Sequence, residues 1–185
     1  ALITDSGTPL ISDPGYILIE KAIENGIEII PLPGPTAFIP ALVASGINPK
    51  SFVFMGFPPR KRGELVSGLK SLALCPHTLV FYESPRRAEN FLKAAYSVLG
   101  NRRFCIGKEI SKRYEKMIRG ELESLETVLE PEHLLGEIVI IVEGASKETR
   151  SPMKPEINSR DDIFAYFKDK YGIPKNSIKN ALMKK

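Results

Sequence analysis

Residues 27–46 read IEIIPLPGPTAFIPALVASG, and the way this stretch divides decides the fold. Ile27–Pro31 is short, β-branched and mostly apolar, the pattern of a buried strand. Leu32–Pro35 is a Pro-Gly-Pro turn that continues neither strand nor helix. From Thr36 onward, Phe38, Ile39, Leu42 and Val43 fall at helical spacing, Thr36 stands where an N-cap belongs, and Gly46 follows as a stop. A strand passing through such a turn into a capped helix leaves backbone N–H groups free at the carboxyl edge of a sheet, where open α/β proteins bind ligands. Taken alone, the stretch reads first as an ordinary strand-to-helix connection. A second loop of the same kind, some thirty residues upstream, favours the binding reading.

That loop is DSGTPLISDPG, residues 5–15. It follows an apolar Ala1–Thr4 segment read as a strand and carries Gly7, Pro9, Pro14 and Gly15. Asp13 and Pro14 predict a helix start; Ile19, Ala22 and Ile23 form its apolar face, and Gly26 ends it. Strand, loop, helix, strand, loop, helix predicts βαβα and a parallel sheet.

Downstream, Phe52–Met55 reads as a strand, and GFPPRKRG (56–63) breaks the pattern with two adjacent prolines, so a domain boundary is placed there. Glu64–Leu74 is a weak helix and Thr78–Tyr82 a strand. Ser84 and Pro85 start a helix that runs to Leu99 and stops at Gly100. Phe104–Lys108 and Glu137–Val142 are strands, Arg113–Arg119 is a loosely alternating third, and Leu122–Leu129 is a short helix. The tail predicts two lysine-rich helices, one opening on Ser159 and Asp162, the other at 175–185. The expected domains are residues 1–55, 56–149 and 150–185.

The 185 residues, 43% of them hydrophobic, suffice for one large domain or two small ones. No apolar run reaches membrane-span length and no signal-peptide pattern opens the chain. Cys75, Cys105, His77 and His133 stand in no metal-ligand or redox spacing, which predicts free thiols, a reducing cytoplasm and no metal. Of the net charge of +4, residues 150–185 carry +5 and the remainder −1. This asymmetry suits a polyanionic partner or a merely solvated tail. No Ser/His/Asp order, P-loop or GxGxxG is present. What remains is two backbone-rich loops at the ends of neighbouring strands, where a nucleoside-like ligand approaches the main chain closely.

In order along the chain stand DSGTPLISDPG, PLPGPTA, ASGI, FMGFPPRKRG, FYESPRR, KEISKRYEKMIRG and GEIVIIVEG. From Ala1 to Gly144 this set resembles the ribosomal RNA small subunit methyltransferase I family, within the tetrapyrrole-methylase-like class of S-adenosylmethionine enzymes. The tail is similar to that family's helical extension. The resemblance implies a two-domain α/β fold, an incomplete parallel-sheet domain followed by a mixed-sheet domain, with S-adenosyl-L-methionine in the cleft between them. It implies 2′-O-methylation of a cytidine ribose in small-subunit ribosomal RNA or its particle, and a homodimer. The family opens with a TPIGNL-type loop and an EDTR-type motif that this chain lacks. The expectation is therefore a piece of a longer protein that binds the cofactor weakly on its own. A tetrapyrrole-ring methyltransferase and a non-catalytic RNA-binding or assembly protein are the alternatives.

Carried over by motif, Gly7, Thr8 and Pro9 match the class's Gly-Asp-Pro cofactor loop, with Leu10 and Ile11 on the same wall. Thr36 and Ala37 match the pair that meets the cofactor after the Pro-Gly turn. Tyr82 is either a cleft residue or a core-edge aromatic. A 2′-hydroxyl is a poor nucleophile and needs help losing its proton; Glu83, Lys108 and Glu109 are the candidates, each also readable as an ion-pair member. Arg60, Lys61 and Arg62 beside Phe57, and Arg86 and Arg87 at a helix start, are either phosphate contacts or solvated charge.

Overall fold

The computed structural model describes residues 1–146 and positions 149, 161, 162, 164, 168, 174 and 176. The chain divides into two compact units, Ala1–Arg150 and Ser151–Lys185. Apart from those single positions, the basic helix pair expected at 159–185 lies outside the described residues.

The first unit is built on a five-stranded mixed sheet. In chain order come α1 (Tyr16–Glu24), α2 (Phe38–Ala44), β1 (Phe52–Phe54), α3 (Arg62–Ser71), β2 (Thr78–Glu83), α4 (Pro85–Leu99), β3 (Arg103–Lys108), β4 (Lys116–Glu121), α5 (Leu125–Val128) and β5 (Ile138–Val142), with 3₁₀ turns at Leu122–Ser124 and Pro131–Leu134. The spatial order is β1-β2-β5-β3-β4. Only β1 and β2 run parallel; β5 pairs antiparallel with both β2 and β3, and β4 with β3.

The period of two along the strands sorts the core into two layers. Leu79, Phe81, Phe104, Ile106, Ile138 and Ile140 face α4, whose Ala88, Phe91, Leu92, Ala95 and Leu99 form the buried stripe of an amphipathic helix. Val80, Cys105, Val139 and Ile141 face the other way, onto Ala41 and Leu42 of α2. Gly107 permits that approach: a Cβ there would lie 2.9 Å from the Cβ of Ala41. Arg119 fastens the same helix from β4, donating to the carbonyls of Ala44 at 2.6 Å and Ser45 at 3.1 Å, the groups an α-helix leaves unpaired at its C-terminus.

Several expectations are corrected. Ala1–Thr4 and Ile27–Pro31 are not strands, so no parallel βαβα sheet forms among the described residues. A strand needs a neighbouring edge to pair with, and none of the described strands supplies one here; Ile30 and Leu32 are 72% and 80% exposed. α1 starts at Tyr16, behind Gly15, whose φ of 136° a helix does not admit. At α2 the capping position falls on Ala37 rather than Thr36, with no side-chain cap, and Pro40 is accommodated in the first turn, where N–H groups lack partners anyway. β4 lies later than Arg113–Arg119, and the helix expected at 122–129 is a 3₁₀ turn followed by one α-helical turn.

Candidate functional site

The strand register gathers several chain segments at one end of the sheet. Glu83, the last residue of β2, pairs with Ile138, the first of β5, and Ile138 pairs with Lys108, the last of β3. The connections after β1, β2 and β3 and before β5 therefore emerge side by side. The α2 layer brings the Pro-Gly turn to the same end: burial raises the pKa of the Tyr82 phenol, partly offset by the backbone of Phe38 and Ala37, with Asp13 adding to the rise.

Here the two Gly/Pro loops meet. Thr8 Oγ1 donates to the carbonyl of Pro35 at 3.0 Å. A Cβ on Gly34 would stand 2.7 Å from that hydroxyl, so glycine is what lets the turns touch. Gly56, at φ 62°, presses onto the first loop, its α-carbon side 3.2 Å from Ser12 Oγ for an added Cβ. Among the described residues, four non-glycine residues adopt left-handed backbone: Leu10 and Ser12 in the first loop, Glu109 and Ser111 after β3. Such conformations persist where surrounding structure holds them, and they cluster at binding sites.

Between these loops and the sheet end lies a cavity of about 970 Å³. Gly7, Thr8 and Ile11 line it from the first loop, Thr36 and Ala37 from the second, and Tyr82 and Glu83 from β2. Pro9 and Leu10 do not; the Leu10 side chain packs toward Gly15. The walls alternate apolar side chains, among them Ile39, Ile110 and Val139, with isolated polar groups, the composition of a small-molecule site.

Glu83 is 3% exposed. Its Oε1 accepts the N–H of Ser84 at 2.7 Å, while Oε2 has no hydrogen-bond partner and stands 3.2 Å from Arg87 Nη2. Oε2 thus has an ion pair with the Arg87 guanidinium and no hydrogen bond, on a residue that lines the cavity. Lys108 and Glu109 are not part of the cavity lining, and both are engaged by other groups. Lys108 Nζ donates to the carbonyl of Glu132 at 2.6 Å. Glu109 Oε1 accepts the N–H of Glu137 at 2.6 Å, which with Lys112 and Lys108 holds its carboxyl below the usual range. Lys112, which lines the cavity, is bound to Glu137 at 3.0 Å and Glu109 at 3.3 Å, and both raise its pKa.

Arg60 and Lys61, on the exposed loop before α3, and Arg62, the first residue of α3, lie outside the cavity lining, and Lys61 pairs with Glu64 at 3.2 Å. Arg86 lines a separate groove of about 500 Å³ between α4 and the Leu125–Leu134 segment. The structure also assembles Glu130, Glu132 and His133, three potential metal ligands that the spacing did not single out. The Lys116 ammonium sits among them, 2.9 Å from His133 Nε2 and 3.1 Å from Glu132. Sequence reasoning missed Ser12, Asp13, Lys112 and Glu137 as cavity residues. Each lies inside a motif already quoted, and membership of those motifs was the only available signal.

The tetrapyrrole (corrin/porphyrin) methylase family model matches residues 1–126. Ribosomal RNA small subunit methyltransferase I of Mesorhizobium japonicum is 44% identical over 154 residues, 82% of this chain and 52% of that protein. Its namesake in Bacillus subtilis is 37% identical over 148 residues, 80% and 51%. The chain thus spans about half the length of the curated relatives it matches. Among solved structures, the methyltransferase CobJ aligns with a TM-score of 0.57 at 21% identity, over 76% of this chain and 63% of that one. Uroporphyrin-III C-methyl transferase from Thermus thermophilus, complexed with S-adenosyl homocysteine, aligns with a TM-score of 0.50 at 20% identity, over 74% and 62%. These two share the fold.

Proposed function

The chain belongs to the tetrapyrrole (corrin/porphyrin) methylase family, and from that premise we propose that it carries the methyl-donor cavity of an S-adenosylmethionine-dependent methyltransferase that acts on small-subunit ribosomal RNA, at the 2′-hydroxyl of a cytidine ribose. The observation that carries this reading is the meeting of two glycine- and proline-rich loops over one cavity, through Thr8 and Pro35. Support for the donor comes from a structural neighbour complexed with S-adenosyl homocysteine, and for the RNA substrate from the names of the relatives. A homodimer and a cytoplasmic setting belong to the same reading. No helix among the described residues is long and apolar enough to cross a membrane.

When bound, the cofactor supplies an electrophilic methyl group on a sulfonium. The residues of this chain hold and align. The main chain around Gly7, Thr36 and Ala37, free of large side chains, forms the wall for the donor, with Ile11 and Tyr82 beside it. Positioning of this kind is worth ~7–11 kcal/mol of barrier. Glu83 is the group that takes the proton of the attacking hydroxyl, because it lines the cavity as a carboxylate whose Oε2 has an ion pair with Arg87 and no hydrogen bond; Lys108 and Glu109 act from behind, fixing the Lys108–Lys112 segment. Arg60, Lys61, Arg62 and Arg86 supply phosphate contacts.

The test is transfer of labelled methyl from S-adenosylmethionine, with small ribosomal subunits, free tetrapyrrole and no acceptor as parallel reactions. Label in 2′-O-methylcytidine is the expected result. Label in the tetrapyrrole alone would replace this reading with the ring-methylating one, and no label in either would favour the assembly protein.

A further inference from the structure

Phe57 is an aromatic residue at the cavity that the packing does not consume. It lines the cavity wall yet remains 60% exposed. Its ring rests against Tyr82, centroids 5.5 Å apart at 52°, and Tyr82 in turn meets Phe54 edge-on at 5.0 Å. Phe57 is thus the outermost ring of an aromatic row that runs from the α2 layer of the core to the mouth of the cavity.

The loop that presents it is held on every side. Gly56 accepts the N–H of Tyr82 at 2.9 Å through its carbonyl. Pro58 is buried, and two successive prolines leave little backbone freedom. Arg87 Nη2 donates to the carbonyls of Pro58 at 3.2 Å and Pro59 at 2.9 Å, and is itself anchored 3.2 Å from Glu83. An exposed aromatic ring on so rigid a mount offers a flat apolar face at little entropic cost. Arg60 and Arg62 follow within a few residues, exposed and without an ion pair among the described residues. An aromatic face beside unpaired guanidinium groups is how proteins hold an unstacked base and its flanking phosphates in single-stranded RNA.

We propose that Phe57 is the platform on which one base of single-stranded RNA stacks at the mouth of the cavity, with Arg60 and Arg62 meeting the adjacent phosphates and Arg87 as the positioning residue that fixes the mount. This rests on the ribosomal-RNA reading above and assigns the base contact within it.

The test measures binding of a fluorescent single-stranded RNA oligonucleotide with a central cytidine by anisotropy, and of S-adenosylhomocysteine by calorimetry, on the same full-length preparations. Phe57→Ala is expected to weaken RNA binding about 5- to 100-fold, by more than it changes S-adenosylhomocysteine affinity, while Phe57→Tyr stays near the parent in both. Arg60→Ala is expected to lower the salt dependence of RNA binding by about one unit of slope, which Phe57→Ala leaves alone. Arg87→Lys is expected to mimic Phe57→Ala in RNA affinity without that change of slope. RNA binding by the parent that Phe57→Ala leaves intact overturns the platform and spares the ribosomal-RNA reading. Absence of RNA binding by the parent, or Phe57-dependent binding of a uroporphyrin probe instead, overturns both.

Discussion

Thr8 Oγ1 donates a hydrogen bond to the carbonyl oxygen of Pro35 at 3.0 Å, joining two loops that lie 27 residues apart in the chain. The contact closes only because residue 34 is glycine; a Cβ there would come within 2.7 Å of the same hydroxyl. Thr8→Val removes the donor and keeps the shape, so S-adenosylhomocysteine affinity is expected to fall about fivefold, the worth of one neutral hydrogen bond. Thr8→Ser should retain it. Gly34→Ala should cost more than Thr8→Val because it pushes the loops apart. Calorimetric titration of the three variants checks the order.

Glu83→Gln keeps the volume of the buried side chain and removes the charge. If Glu83 takes the proton of the ribose hydroxyl, kcat on small ribosomal subunits falls by about 10²-fold or more, with S-adenosylhomocysteine affinity unaltered. A loss of cofactor affinity with kcat preserved would make Glu83 an anchor for Arg87 and nothing else. Single-turnover methylation kinetics separate the two.

Arg102 is buried and spends its guanidinium on main-chain carbonyls, those of Ala73 at 2.5 Å, Leu99 at 3.2 Å and Glu143 at 3.2 Å. Burial lowers its pKa, yet an arginine stays charged in proteins. It ties the end of α4 to the segment after α3 and to the end of β5. Arg102→Ala strands three carbonyls and is expected to destabilise the fold by about 2–4 kcal/mol, read as a shift of the urea midpoint at unchanged slope.

Burial pushes the Cys105 thiol up to about 11 from its ordinary 9.0, against the weaker pull of Arg119. The folded state therefore resists ionisation that the unfolded chain accepts. Its contribution to stability is whole below pH 9, declines as the pH rises toward 11, and amounts to on the order of 2 kcal/mol. Cys105→Ala should flatten the alkaline limb of stability against pH. At the acid end Arg103 holds the Glu143 carboxyl below its usual range at 2.5 Å. That contribution is present above the ordinary carboxylate pKa and lost as the pH falls; the pair is half exposed, so its worth is a few tenths of a kcal/mol. Urea melts across the pH range measure both limbs.

Much of the sheet was legible because local and tertiary signals agree. TLVFY at 78–82 and EIVIIV at 137–142 are β-branched runs that the sheet buries on both faces, and Ser84-Pro85 and Gly100 bound α4 as residue chemistry dictates. Ile27–Pro31 misled for a physical reason: β-branched apolar residues report a preference for burial, not the presence of a partner edge. The loop around the cavity was readable in its glycines and prolines. The left-handed backbone at Leu10, Ser12, Glu109 and Ser111 was not, since no local property of those residues calls for it and only packing against neighbours imposes it. Nor was the arrival of Lys112 and Glu137 at the same cavity as Glu83, which depends on β5 inserting antiparallel between β2 and β3.

On the reading proposed above, the two loops and the end of β2 enclose a site for an adenosine-type methyl donor. Titration of S-adenosylhomocysteine into the protein and into its Ala37→Trp variant, which places an indole at the cavity wall, tests this most directly. Saturable single-site heat from the parent, abolished in a variant with the same melting profile, is the predicted result. No saturable heat from the parent, or heat that the tryptophan leaves untouched, would contradict it.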